Sequence, residues 1–443
     1  MLVVCVLSGL YWNGFRPGPA PFSPPSSDLR CQSYGLVHKC RDLHSHALWL
    51  LSNHPLIDGH IDIPVLAKYR YNNKISDIPF DQAAHKNGSW PMQGHVDLPR
   101  LREGKSGGFF WSAYVPCPDP SYEQDNFARA PESIAVRDTL EQLDVIRQFT
   151  SRYSSDFALV GTAKQARHAF SGHGKMIAFI GIEGAHSLGN SLFALRTLSA
   201  LAKNDKDTTG PVRYLTLTHT CHNAFADSAG PEEPKWNGLS PLGYRLVDEL
   251  GRLGIVPDLS HVSDQTAEQT IQSALGPVML SHSSARHFTD LRRNVPDSVL
   301  RLLASYSKDN AEARKVTRGA KDSVVMINVF PGFIGGTEDL VQVVRHIEYV
   351  AEIVGKTHVG LGTDFDGIFT TPKGLSDVSQ YPNLVVELLK RGWSDVEIAG
   401  FVGENVLRVL ESAEHVAEML ARQGVEPDNT SWEDIFSHPK TEL

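Results

Sequence analysis

The chain has 443 residues, 41% hydrophobic and 21% charged, which is enough to bury a sizeable core and too apolar for a disordered chain. Its formal charge is -9, from 42 Lys and Arg against 51 Asp and Glu, and it has no long basic run, which argues against nucleic acid as a partner. Five Cys residues without a C-x-x-C pair exclude a disulfide-dense miniprotein and a C-x-x-C zinc motif.

The chain opens on an apolar stretch of about ten residues from Met1, short of the ~20 that span a bilayer and without a positive flank. It reads as a clipped signal, a signal-anchor or an irregular start, so membrane association stays open. Residues 14–30 repeat Pro, Ser and Gly and read as a linker. Residues 1–38 are therefore set apart as start and linker, 39–420 as the folded domain and 421–443 as a tail. The C-terminus carries no apolar segment of the kind a glycolipid anchor needs. N-x-[ST] triplets stand at Asn87 and Asn429 and matter only on a secreted chain.

From residue 54 onward, apolar β-rich runs alternate with amphipathic stretches. The predicted strands are 56–63, 109–116, 176–183, 212–219, 254–260, 277–282, 323–330 and 358–364. Helices are predicted over 132–152, 241–253, 263–275, 338–354 and 394–412, among others; in the first, Ile134, Leu140, Leu143, Ile146 and Phe149 recur at helical spacing. Eight strands with intervening helices predict a (β/α)8 TIM barrel, with a doubly wound sheet as the alternative. The last helices, 382–391 and 394–420, are expected to pack outside the barrel. The charged stretch 306–322 lengthens a helix-to-strand connection, on the barrel face away from the chemistry.

Polar residues gather where the predicted strands close. The first closes on His60-Ile-Asp62, whose alternation sends both side chains to one side. The others close on Glu183, His219, His261, His282 and Asp364. A lone His at a strand end is more often a hydrogen-bonded core or surface residue. An acidic residue ending an apolar strand, as Glu183 does, is costly to bury without a positive partner. Six of eight strand ends carrying His, Asp or Glu defeat the bland explanation, because a barrel brings those ends to one mouth. Neutral imidazole and carboxylate are ligands that zinc prefers. The set exceeds what one tetrahedral ion takes, so a two-metal centre is expected, with a carboxylate bridging.

With these runs the sequence resembles the membrane (renal) dipeptidase family of zinc metallopeptidases. The matching segments, in order, are 56–62, 107–114, 182–187, 213–219, 258–263, 281–285, 292–297 and 362–367, and the resemblance spans about residues 40 to 415. It implies a (β/α)8 barrel of the metal-dependent hydrolase type with two Zn2+ per chain. One ion would be held by His60, Asp62 and Glu183, the other by Glu183, His261 and His282. His219 then resembles the His that binds the substrate carbonyl, and Arg293 the Arg that grips the substrate carboxylate. From composition alone, Arg292 and Arg293 would be taken for a solvated charge pair. Asp364 resembles the acid/base residue, which leaves Asp366 and His186 with structural roles. The resemblance also implies a disulfide between Cys117 and Cys221. A second intrachain bridge has no counterpart, because Thr289 stands at one of its positions.

The expected activity is that of a dipeptidase: a hydroxide shared by two zinc ions attacks the peptide bond, with Asp364 and Glu183 as the catalytic carboxylates. Cys-Gly conjugates are among the expected substrates, and glutathione-derived adducts in a biosynthetic setting are the specialised alternative. Other binuclear amidohydrolases usually begin with an H-x-H pair and often bridge with Lys; His60-x-Asp62 and Glu183 disfavour them. A catalytically dead binding protein would be expected to lack a ligand or Asp364, and none is missing. The resemblance implies a homodimer. The expected disulfide favours the secretory pathway, secreted or membrane-associated, over the cytoplasm.

Overall fold

The computed structural model describes residues 31–34, 37–40, 42–85, 88–119, 127, 132–201, 211–306, 318–320 and 322–436. The apolar start, the linker 14–30, Asn87 and most of the charged stretch 306–322 lie outside the described residues.

Eight parallel strands form the core: β1 (Leu56–Ile61), β2 (Ser106–Tyr114), β3 (Met176–Glu183), β4 (Val212–Thr216), β5 (Val256–Asp258), β6 (Val278–Leu280), β7 (Ser323–Ile327) and β8 (Val359–Leu361). Every predicted strand is present, and each pairs in parallel with the next. Parallel neighbours require crossovers, and helices such as Glu132–Arg152, Pro241–Leu253, Asp264–Ser273 and Leu340–Val354 supply them. Several start on a side-chain cap: Ser240 accepts from the Gly243 N–H, Ser263 from Thr266 and Asp339 from Gln342. The circuit nearly closes between β8 and β1, where Asp364 N–H donates to His60 O at 3.1 Å and Asp62 N–H to Phe365 O at 2.9 Å. The architecture is the (β/α)8 barrel, not the doubly wound sheet.

Two features were not foreseen. Strand Phe157–Leu159 pairs in parallel with the first residues of β3, Met176 to Ala178, and Cys31–Tyr34 pairs antiparallel with Val37–Cys40 where linker was expected. Strands of three or four residues are too short to show a period. The last helix also departs from expectation. After a single π turn at Gly400–Glu404, helix Asn405–Arg422 lies across the barrel floor. Its Val406, Leu407, Val409, Leu410 and Ala413 share one apolar cluster with Ile57, Phe110, Ile177, Val256, Met279 and Val324 from the early parts of the strands. The opposite end of the barrel therefore stays open for polar residues.

A buried carboxylate fastens the closing seam. Asp58 Oδ1 accepts from the N–H groups of His60 and Thr363 at 3.1 and 2.8 Å; its Oδ2 accepts from Thr363 Oγ1 and Tyr381 Oη at 2.6 and 2.7 Å. Burial pushes its carboxyl upward, and these donors oppose that push. Asp58→Ala leaves buried donors without an acceptor. Each unsatisfied group costs about 1–3 kcal/mol; removing the buried carboxylate relieves its desolvation and offsets part of the sum, so a loss of roughly 2–5 kcal/mol is expected in urea unfolding. A loss within about 0.5 kcal/mol, the range of an ordinary surface substitution, would show that the seam does not depend on it.

Candidate metal centre and active site

The site forms at the C-terminal ends of the strands, as a barrel requires. His60 lies within β1 and Glu183 ends β3, but the other residues sit beyond the paired strands: Asp62 follows β1, His282 follows β6, and His219, His261 and Asp364 lie three positions past β4, β5 and β8. The sequence placed all of them at strand ends. The ladders stop earlier because side chains take over the backbone donors. Asp258 Oδ1 accepts from Ser260 and Ser281 N–H at 3.1 and 2.7 Å, while its Oδ2 accepts from Thr216 Oγ1 and Ser281 Oγ at 2.6 and 2.7 Å. Past that point His261 and Asp364 adopt positive φ (67° and 66°), which turns them out of extended chain and toward the centre.

Glu183 stands at the middle of the group. Its Oε2 is 3.5 Å from His60 Nε2, and His60 Nε2 is 3.4 Å from Asp62 Oδ2. Its Oε1 is 3.2 Å from His261 Nε2 and 3.4 Å from His282 Nε2, which are 2.9 Å from each other. Each oxygen of the one carboxylate thus faces its own set of donors. Gly184 follows at φ 92°, and a Cβ there would collide with the His186 ring, so this turn after Glu183 needs glycine.

The electrostatics prepare these groups as ligands. Burial opposes charge on Glu183, yet His60, His219 and the contacts from His261 and His282 hold its carboxyl well below the usual range. Burial holds His261 and His282 well below theirs, with the Arg293 charge adding to the effect, so their imidazoles are neutral. Burial also works against a charge on His60, but Tyr214, Glu183 and Asp62 hold it well above its ordinary value. His60 Nε2 and Asp62 Oδ1 are buried without a hydrogen-bond partner. Such orphans are costly unless a cation meets them. Three overlapping sets have ligand atoms close enough to share an ion: His60, Glu183 and His282; Glu183, His219 and His261; and His60, Asp62 and Asp364. Neutral His261 and His282 beside the ionised Glu183 carboxylate fit a divalent metal, and His60 would release its proton on binding one.

The remaining predicted residues line the same mouth. His219 Nε2 is 3.9 Å from Glu183 Oε1, with its ring edge-on to Tyr114. Arg293 donates to His282 O at 2.8 Å and Ser283 Oγ at 3.2 Å and lies over Phe333, with its Nε buried and unpaired. Arg292, its neighbour, is exposed. Asp364 is half-buried, and burial, with Asp62 and Glu183 adding, pushes its carboxyl up to about 8. A Cβ on Gly367 would press on Asp62 Oδ2 and Asp364 Oδ1, so glycine there keeps the space beside both carboxylates clear.

His186 stands apart from the centre. It meets Val115 O at 2.9 Å, and burial lowers it to about 4, which fits a neutral structural ring. Asp366 accepts from the His95 N–H at 2.5 Å and donates its own N–H to His95 Nδ1 at 3.0 Å, tying the loop after β8 to the segment ahead of β2. Cys117 and Cys221 are joined in a disulfide across 104 residues, tying the end of β2 to the loop after β4. Asn429 is exposed. No helix among the described residues is long and apolar enough to cross a membrane.

Four residues that hold the site were missed. Tyr214 Oη reaches up from the barrel interior to His60 Nδ1 at 2.7 Å. Asp258, through Ser281 Oγ, engages His282 Nδ1 at 2.7 Å. Asn328, just past β7, donates to Asp364 Oδ2 at 2.9 Å. The only hint in the sequence was Asp258 standing three residues before His261. Tyr214 reads as core and Asn328 as an ordinary strand-end residue.

Comparison with known proteins identifies the family. The membrane dipeptidase family (peptidase family M19) matches residues 45–424. Dipeptidase aclJ of Aspergillus oryzae is 38% identical over 405 residues, covering 89% of this chain and 86% of that protein. A metallo peptidase of Rhodobacter sphaeroides, solved with a phosphinate mimic of the dipeptide L-Ala-D-Ala, is 25% identical with TM-score 0.64, covering 81% of this chain and 99% of that one. The probable dipeptidase PvdM of Pseudomonas aeruginosa, at 20% identity and TM-score 0.68 over 85% of this chain and 99% of that one, shares the fold. The chain belongs to the membrane dipeptidase family, peptidase family M19, and is by that membership a metallo-dipeptidase.

Proposed function

We propose that the chain hydrolyses dipeptides with two zinc ions. The observation that carries this reading is Glu183, whose two oxygens face separate donor sets. His60, Asp62 and Glu183 Oε2 would hold one ion; Glu183 Oε1, His261 and His282 would hold the other. The ligand chemistry suits zinc. Bound there, the pair supplies Lewis acidity and lowers the pKa of water toward neutrality.

The rest falls to the side chains. Asp364 takes the proton of the attacking water and returns it to the leaving amine. His219 steadies the negative charge that develops on the carbonyl oxygen. Arg293, with Nε unpaired, receives the free carboxylate of the second residue. A metal pair and a carboxylate grip this close together measure a substrate two residues long. The mimic bound to the Rhodobacter sphaeroides relative and the name of the Aspergillus oryzae relative support the same substrate class. The disulfide favours an oxidising compartment, hence the secretory pathway.

The test is turnover of a dipeptide panel, including D-residues at the second position and cysteinylglycine conjugates, with and without chelator, alongside Arg293→Ala. Turnover should vanish with chelator and return with zinc. Arg293→Ala should raise KM at least about tenfold for free dipeptides and leave their C-terminal amides little changed. An equal loss on acids and amides would contradict the carboxylate grip.

A further inference from the structure

Among the barrel strands, β7 contributes none of the predicted site residues. The residue just past its end, Asn328, is nonetheless fully buried and touches one of them. We propose that Asn328 is a positioning residue that fixes which oxygen of Asp364 carries the proton during hydrolysis. The inference rests on the proton-carrying role given above to Asp364.

The orientation of the Asn328 amide is decided by its other contact. Asn328 Oδ1 accepts from the Phe330 N–H at 2.6 Å. Only the oxygen can meet an N–H, so the NH2 group must point the other way, and it points at Asp364 Oδ2 at 2.9 Å. The backbone is also held: Asn328 O accepts from Ser284 Oγ at 3.1 Å. An amide pinned at both ends and wholly buried has no freedom to turn over.

The consequence falls on Asp364. Its backbone is in the left-handed region at φ 66°, and its N–H is tied to His60 O at 3.1 Å, so the carboxylate is delivered from a fixed stem. With Oδ2 engaged by a donor, that oxygen stays an acceptor. Oδ1 is left free, on the side where the missing Cβ of Gly367 keeps space open beside Asp62 Oδ2. A proton accepted at Oδ1 therefore sits next to the metal ligands, where the water gives up its proton and the leaving amine takes it. With no donor on Oδ2, the carboxylate could take its proton on either oxygen and rotate the charge away from the reaction.

The cleanest test is Asn328→Asp. The substituted carboxylate has nearly the same volume and keeps an oxygen for the Phe330 N–H, so a purely structural role would survive. It replaces the donor facing Asp364 with a second acceptor, and two carboxylates in contact must share a proton. We expect kcat to fall about a hundredfold with KM within about threefold, while metal content by mass spectrometry and the unfolding midpoint stay near wild type. Asn328→Leu, which loses both contacts, should lower kcat at least as far and also lower the unfolding midpoint. Wild-type kcat in Asn328→Asp beside a destabilised Asn328→Leu would overturn the proposal and leave Asn328 a purely structural residue. Loss of metal in Asn328→Asp would overturn it as well. The parent reading is tested separately by Asp364→Asn: if that variant turns over normally, the role of Asp364 itself is wrong; if it is inactive while Asn328→Asp is unaffected, only the positioning role falls.

Discussion

Glu183→Gln should leave the protein folded but unable to hold its metal pair, with kcat/KM reduced by about 10³ or more. The reasoning starts from the geometry of one side chain. Glu183 Oε2 is 3.5 Å from His60 and Oε1 is 3.2 and 3.4 Å from His261 and His282. Glutamine keeps the shape but offers one neutral oxygen, and its NH2 aims a donor where the other cation would sit. One donor set loses its shared ligand outright, and the other loses a negative charge. The fold should tolerate the change, since removing a buried charge relieves a desolvation cost. Metal analysis and circular dichroism on the same sample read both halves. A Glu183→Gln protein with full metal and near-normal turnover would remove the basis for a shared carboxylate.

Asp364→Asn should behave differently. Metal content should stay at the wild-type level while kcat falls by about 10²–10⁴. Asp364 lies within reach of the His60 and Asp62 ligand atoms, but the proposed ligand sets are complete without it, so both ions should stay bound when it is neutralised. What it supplies is a carboxylate able to take up a proton. Burial, reinforced by Asp62 and Glu183, pushes that group up to about 8, and His60 and Arg293 draw it back. A bound dication would draw it down further, toward a carboxylate that is ionised at neutral pH yet still basic enough to accept a proton. Asparagine cannot do this at any pH. Loss of metal along with activity would instead make Asp364 a ligand.

Much of the architecture was readable because a parallel barrel buries its strands on both faces. Runs such as Met176-Ile-Ala-Phe-Ile-Gly-Ile are continuously apolar and stand out from the amphipathic helices around them. The polar residues were legible as a set: His60, Asp62, Glu183, His261 and His282 do converge. Their offset past the strands was not. It depends on Asp58 and Asp258 taking backbone N–H groups from the ladder, and in one dimension an Asp near a His looks the same whether it binds metal or pins a loop. Arg293 needed the family resemblance, since nothing in a pair of adjacent arginines tells which is drawn inward against Phe333 and His282 O. Helix Asn405–Arg422 was legible as amphipathic, but an apolar stripe does not say whether it meets the barrel wall or its floor. Tyr214 and Asn328 act through contacts with residues more than thirty positions away, which local pattern cannot show.

The most direct measurement of the central claim is anomalous X-ray diffraction at the zinc edge from crystals of zinc-loaded protein. Two peaks should appear, one bounded by His60, Asp62 and Glu183 Oε2, the other by Glu183 Oε1, His261 and His282. A single peak on one side of Glu183, or density held by other residues, would contradict the account.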